Sequence, residues 1–424
     1  MIHFLIKGLL RDRSRSFLPI TVVVLGVALS VFLYSWIIGA VNDIIRVNAS
    51  FYTGHVKIMT RGYANEIDQS PNDFALVGVD TLLAELRQSY PKMTWVPRIR
   101  FGGLLDIPDQ KGNTRVQSPV MGMGVDLLSP HSPEIQILNI KAALVRGRLP
   151  KTSGEMLISD NLARRLQLPL GASATLISST MDGSLAMQNF IVVGTIRFGI
   201  RAIDRGSIIV DLKGAQEALD MNNATGEILG FFPHFLYQKK EAVLMAQSFN
   251  KKFSRQDDPF SPEMLCLADQ NNLADMLSYV NQAAAIIVAI FIFAMSIVLW
   301  NAGLMGGLRR YGEIGIRLAM GEEKGHIYRT MIYESALIGT VGSVIGTGIG
   351  LACSYYLQLH GIDIGSMLKN ASVLMSNVMR AQVTPTSYFI GFIPGLFASI
   401  LGTMIAGIGV YRRKTAQLFK ELEV

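Results

Sequence analysis

Four long apolar stretches punctuate this chain, and a long stretch of mixed pattern separates the first from the other three. Phe17 to Ala40 is 24 residues without a charge, behind a basic lead carrying Lys7, Arg11, Arg13 and Arg15. A helix of about 20 residues crosses the hydrocarbon of a bilayer, whereas the apolar core of a cleavable signal has only about 7–15. The pattern predicts an uncleaved membrane helix over 17–41, with Pro19 in its first turn, where proline costs a helix little. The second span, 277–305, grows out of an amphipathic start at Asn271, with Asn281 and Gln282 at its mouth, and is continuously apolar from Ala283 to Trp300. No breaker divides its polar and apolar parts, so one helix is expected to run from soluble sequence into the membrane. The third span, 331–357, carries Glu334 near its start and a run of glycines; the fourth, 385–411, contains Pro394 and ends at Arg412-Arg413-Lys414.

Between 42 and 276 the pattern changes to that of a soluble α/β domain. Short β-like runs occur at His55–Thr60, Met156–Ser159, Ala172–Ser178, Asn189–Arg197 and Ser207–Leu212. Helical patterns lie between them at Asp80–Tyr90, Ser159–Leu168 and Leu212–Met221, with Ser159 or Asp160 as the cap of the second. Proline and glycine cluster at Pro108–Gly112, Pro130–Pro133 and Gly147–Gly154, marking turns. A region of this size buries the core of one large domain or two subdomains.

Composition agrees with a chain that is part membrane and part soluble. Half of the 424 residues are apolar and only 17% are charged, below the roughly 25% of an ordinary soluble domain. The net charge of +7 does not point to nucleic acid, because the basic residues gather at the ends of the apolar runs, not along one stripe. Four basic residues in the N-terminal lead (1–16), five in the loop 301–329 and four in the tail from Arg412 (412–424) place these on the cytoplasmic side. The loop 358–384 has only Lys369 and Arg380, which puts it outside together with the 42–276 domain. The two cysteines, Cys266 and Cys353, are too few for a disulfide framework and read as structural thiols.

Motifs for catalysis are missing from the sequence. No GxxxxGK[ST] loop offers backbone N–H groups to a nucleotide, and Arg413-Lys414-Thr415 lacks the glycines such a loop needs. The six histidines are scattered, without HExxH or a Cys/His spacing suited to zinc. Gly122-Met123-Gly124 is half of a dinucleotide fingerprint and reads as a turn in a β-region. The chain is read as a non-enzyme, without metal or cofactor of its own.

Four other features invite a role. Gly342, Gly346 and Gly350 fall on one helix face, where small residues admit a neighbouring helix, either within the chain or in a second subunit. Ala398, Gly402 and Ala406 form a weaker stripe of the same kind. Glu334, about one turn into the third span, needs an interfacial position or a partner among Arg309, Arg310, Arg317 and Arg329, or in a partner subunit. Phe32, Trp36 and Ile37 in the first span and Ala284, Ile287 and Phe291 in the second face lipid or line a lateral cavity for an amphiphile. Finally, the segment 306–330 contains a short helix with Tyr311, Ile314 and Leu318 on one stripe and Glu313 four residues before Arg317, a spacing that lets them pair. Gly321 suits the left-handed residue that closes a helix.

The segment Tyr311-Gly312-Glu313-Ile314-Gly315-Ile316-Arg317-Leu318-Ala319-Met320-Gly321 resembles the E-I-G-[IV]-R-x-A-x-G signature of FtsX-like ABC permeases. These include the MacB-type macrolide exporters and the lipoprotein-releasing (LolC/LolE-like) permeases, whose length this chain is closest to. Tyr333-Glu334-Ser335 is similar to the family's entry into its third span. Phe51-Tyr52-Thr53-Gly54-His55-Val56-Lys57-Ile58, and Gly147-Arg148-Leu149 with Gly154-Glu155-Met156-Leu157-Ile158, resemble parts of its periplasmic core domain. The resemblance implies an α-helical inner-membrane protein with four transmembrane helices and a large α/β, MacB-like periplasmic domain between helices 1 and 2. It implies a coupling helix at Glu313–Gly321 for a separate cytoplasmic ABC ATPase, which would bind the ATP and Mg. It also implies a second permease subunit, identical or not, and work by mechanotransmission on a lipoprotein, or on a macrolide-like amphiphile with a periplasmic adaptor. A third reading is signalling, without transport, to a partner such as a cell-wall hydrolase.

Overall fold

The computed structural model describes residues 13–109, 112–199, 201–235, 237–270, 273–308, 311–363 and 378–412. Most of the 1–16 lead, Asn271, Arg309 and Arg310, residues 364–377 of the outward loop and the tail from 413 lie outside the described residues. The chain forms two compact units, one of apolar helices and one, inserted between the first helix and the second, of strands and shorter helices.

Helix α1 covers Arg13–Asn48 and passes into a π-helical turn, Ala49–Thr53. It extends beyond the uncharged run at both ends, so Pro19 is its seventh residue and lies past the first turn. There proline deprives the carbonyl four residues earlier of its helical partner.

The inserted unit holds ten main strands. In chain order they begin with β1 (Val56–Thr60), α2 (Val79–Ser89), β2 (Thr94–Pro108) and β3 (Thr114–Val125). Next come β4 (Leu144–Gly147), β5 (Glu155–Ser159), α3 (Asp160–Arg165), β6 (Ser173–Ser179) and β7 (Leu185–Ile196). The series closes with β8 (Ser207–Asp211), α4 (Leu212–Leu219), β9 (Glu227–Phe231), α5 (Lys239–Phe253) and β10 (Pro262–Cys266). The strands run in the order β10-β1-β9-β2-β3-β8-β5-β7-β4, and β6 pairs with both β2 and β7. Only β3–β8 and β5–β7 are parallel.

Because β6 bridges β2 and β7, the strands β2, β3, β8, β5, β7 and β6 make a closed circuit of pairings. Closure gives each of these strands a partner on both sides over at least part of its length. Their alternate residues fill the interior: Phe101 and Leu105, Val120, Met156 and Ile158, Leu176, Phe190 and Ile208. Ser159 is the cap chosen for α3, its Oγ accepting from the Leu162 N–H at 3.4 Å. The Asp160 carboxylate is instead held by Arg146, Arg164 and Arg197. The remaining strands, β10, β1 and β9, extend antiparallel from β2 and build a second core with one face of α2 (Val79, Leu83, Leu86) and of α5 (Ala242, Ala246, Phe249).

Gly122-Met123-Gly124 is not a turn but the far end of β3. A methyl group at Gly122 would collide with the Phe101 ring, and one at Gly124 with the Ala215 methyl. The glycines are there because core side chains lie directly on the strand. Cys266 is buried and Cys353 exposed, both as free thiols.

The helical unit continues with α6 (Leu273–Leu308), one uninterrupted helix from polar into apolar sequence, then α7 (Tyr311–Ala319) and α8 (Lys324–His360). The last span starts with a 3-10 turn, Pro385–Tyr388, passes through a π-helical turn, Ile393–Ala398, that contains Pro394, and ends in α9 (Ser399–Arg412). Four segments, Phe17–Thr53, Ser278–Met305, Lys324–His360 and Pro385–Ile408, are long and apolar enough to cross a membrane.

Candidate functional site

The corner between α7 and α8 is built by its own residues. The Glu322 N–H donates to the Arg317 carbonyl at 3.1 Å and the Gly321 N–H to the Leu318 carbonyl at 3.1 Å. This pair of bonds is the Schellman closure of α7, which needs a residue in the left-handed region at Gly321, whose φ is +92°. Side chains fasten the same turn. Arg317 places Nε and Nη2 on the two carboxylate oxygens of Glu322, both at 2.6 Å, and His326 lies 3.7 Å from the same carboxylate. The Arg317 guanidinium pulls the Glu322 carboxyl below its ordinary range. Arg317 thus pairs forward across the turn, where the left-handed residue at Gly321 brings Glu322 back beside it.

Of the predicted stripe, Ile314 is buried against Ile327 and Met331 of α8, with Leu318 half-buried beside them. The side chains of Tyr311 and Glu313 lie outside the described residues. Gly315 is buried. With one face of α7 packed on α8, the opposite side presents Ile316 (47% exposed) and Met320 (75%). These two are four apart and therefore neighbours on the helix surface. The sequence assigns neither a role beyond membership of the signature segment, nor one to Glu322, Ile327 and Met331; the four-residue spacing of Ile316 and Met320 is the available signal.

Glu334 is the eleventh residue of α8, about three turns in, because the helix begins at Lys324, ahead of the apolar run. It is half-buried, and Arg317, one of its candidate partners, is taken by Glu322.

The glycine stripe of α8 lies against α1. Added methyl groups at Gly342 and Gly346 would stand 2.6 Å from Val23 and from the Val24 carbonyl; one at Gly350 would stand 2.8 Å from the Ala28 carbonyl. Close backbone approach of this kind is how helices gain contact in lipid, where burial from water supplies no drive. The stripe is thus filled within the chain. The second stripe is filled too: Ala398 and Ala406 are buried, and Gly402 meets the Trp300 backbone of α6.

The six cavity candidates are not gathered into one described contact set. Phe32 and Trp36 form a ring pair 6.2 Å apart on α1, and Ile37 is half-buried. On α6, Ala284 is buried, Phe291 half-buried and Ile287 53% exposed. Of the four spans, α6 is the least covered by the rest of the chain. Among the described residues no group of His, Cys, Asp and Glu could hold a metal ion.

Parts of the chain are similar to known proteins. The macrolide export ATP-binding/permease protein MacB of Campylobacter fetus subsp. fetus is 28% identical over 106 residues. That stretch is 25% of this chain and only 16% of the relative's length. The periplasmic region of MacB from Actinobacillus actinomycetemcomitans aligns with 55% of this chain and 95% of its own, at 11% identity and a TM-score of 0.37. The FtsX-like permease C-terminal family matches residues 285–415, from the second span through the α7–α8 corner to the end of the fourth.

Proposed function

We propose that this chain is the permease subunit of a bacterial inner-membrane ABC transporter, driven from the cytoplasm by an ATPase carried on a separate chain. The reading rests on one observation above the rest: within the matched family region, α7 is locked to α8 and turns the exposed pair Ile316 and Met320 outward. A short helix held at a fixed angle by a Schellman turn and a bidentate ion pair passes on a push instead of absorbing it. ATP and Mg belong to the partner, and the inserted domain works on the periplasmic side. The open apolar surface of α6 suits a second permease subunit, with lipid around both. The substrate in this reading is hydrophobic, a lipoprotein first and a macrolide-like amphiphile handed to a periplasmic adaptor second; signalling to a periplasmic hydrolase is the reading without transport.

The test is coexpression with the cognate ATPase and reconstitution in proteoliposomes. Ile316→Asp with Met320→Asp should abolish ATPase co-purification, and Gly321→Pro should leave it bound but uncoupled from lipoprotein release. Retention of both binding and release in these variants, and in Glu313→Ala, would remove the ATPase socket from α7. If lipoprotein neither stimulates hydrolysis nor leaves the vesicles while a periplasmic protein binds stably, the signalling reading replaces transport.

A further inference from the structure

The end of the first membrane helix is gripped by buried charges. Past Asn48 the chain makes the π-helical turn Ala49–Thr53, whose Ser50 and Phe51 carbonyls accept from β2 and whose Thr53 carbonyl accepts from the chain just ahead of α6. Arg98, fully buried on β2, donates Nη1 to the Ser50 carbonyl at 2.7 Å and gives Nε and Nη2 to Glu134, both at 2.7 Å. Arg100, two residues on, donates to the Phe51 carbonyl and, through Nε, to Glu227 at 2.7 Å, and its guanidinium lies over the Tyr52 ring at 4.5 Å. Lys57 of β1 reaches the other oxygen of Glu227 at 2.6 Å.

This cluster has three cations, Lys57, Arg98 and Arg100, and two carboxylates, Glu134 and Glu227, all with side chains at most 16% exposed. One positive charge is left over. The C-terminal end of a helix carries roughly half a negative charge on its unbonded carbonyls, and the Ser50 and Phe51 carbonyls bring that charge to the surplus cation. Pulling the turn away would leave a buried cation without its acceptors, which a protein interior tolerates poorly. The second strand of chain joins at the same place: Gln270, three residues ahead of α6, donates Nε2 to the Thr53 carbonyl at 3.1 Å and to that of Cys266 at 3.2 Å. The Phe51 ring packs edge-on to Phe198, 4.9 Å away.

We infer that Arg98 and Arg100 are positioning residues that clamp the end of α1 to β2, so that this helix end and the sheet move as one rigid body. The inference rests on the reading of the chain as an ATP-driven permease, since a clamp without a driven helix would transmit nothing. A flexible linker at the same place would lose the stroke; a surplus buried cation sealed by helix carbonyls does not.

The experiment uses the full chain with its ATPase. Arg98→Met and Glu134→Leu are introduced together, so that neither charge is left alone in the interior. The clamp predicts that the double variant folds, binds the ATPase and keeps basal hydrolysis, while lipoprotein-stimulated hydrolysis and release each fall at least tenfold. A second readout needs no transport: spin labels at Arg46→Cys and Thr94→Cys, in a Cys353→Ser background. The expected result is one narrow distance, the same with and without ATP, that broadens in the double variant. Wild-type release by the double variant, or a label distance that changes with nucleotide in the wild type, overturns the clamp. Failure of the wild-type complex to form or respond counts against the transporter reading instead, and the label distance in the chain alone still decides whether the helix end is rigid.

Discussion

Two regions of one helix are held by opposite means. Residues 23–31 of α1 carry no charge and lie against glycines, and backbone meets backbone across Gly346 and Gly350. The turn that follows the same helix, residues 50–53, is held by arginines and a glutamine donating to its carbonyls. The difference follows from the surroundings. In hydrocarbon there is no water to expel, so contact area has to come from close approach, and a charge would be costly. Inside the inserted domain charge can be buried if it is fully paired, and directional bonds then fix one orientation where apolar packing would allow several.

Removing a member of the ionic set should give the largest effect. Burial would raise the Glu227 carboxyl, but Arg100 and Lys57 outweigh it and hold it at about 2. Glu227→Ala strands both cations, and loss of one partner of a buried pair costs about 3–5 kcal/mol; the inserted domain should unfold at markedly lower urea, followed by tryptophan fluorescence of the full chain in detergent. Gly346→Leu tests the other kind of grip. Overpacking costs about 1–3 kcal/mol, and the loss should appear as a lower thermal midpoint of the helical unit, with Gly348→Leu as control because a side chain there meets open space. Gly321→Ala asks a left-handed position of a residue with a Cβ, at about 1 kcal/mol; protease cleavage at the α7–α8 corner should speed up while the bundle stays intact.

The smallest effect concerns a surface pair. Arg148 grips Glu155 with bonds of 2.7 and 2.6 Å and brings that carboxyl down to about 2 from an ordinary 4.5. A carboxylate lowered on folding adds stability that is complete above pH 4.5 and vanishes as the pH drops towards 2. Because Arg148 is 46% exposed, solvent screening keeps the gain small. Glu155→Gln should therefore lower the melting temperature slightly at pH 6 and not at pH 2, and an equal loss at both would show that packing, not charge, is at stake.

The sequence was most readable where one physical demand dominates. The uncharged run from Phe17 to Ala40, the glycines at 342, 346 and 350 and the breaker at Gly321 each have few alternatives. The β-runs at 156–159 and 207–212 stood out because their apolar centres, Met156 to Ile158 and Ile208 to Val210, are buried on both faces. The long hairpin β2–β3 did not, since Pro97, Gly102, Gly103, Pro119 and Gly122 interrupt its alternation. Arg98 and Arg100 were invisible for a simpler reason. Charges two apart on a strand read as a solvated face, and only the carbonyls of Ser50 and Phe51, far away in sequence, make them interior. The Arg317–Glu322 pair was missed likewise, because helical spacing favours Glu313 until the turn at Gly321 is known.

The π-helical turn at Ile393–Ala398 also sets the angular phase of the fourth span. Such a turn takes one more residue than an α-turn, so every side chain after it is rotated relative to those before. Ahead of it Gly391 abuts Val27 of the first span and Thr347 of the third, within it Gly395 abuts Val27 and Ser343, and beyond it Gly402 abuts Trp300 of the second. One helix thereby addresses three neighbours with a single kind of residue. Deleting one residue from this turn would change the rotation between Gly391 and Gly402 and swing Gly402 away from the second span. Length in this segment is a coordinate of the bundle.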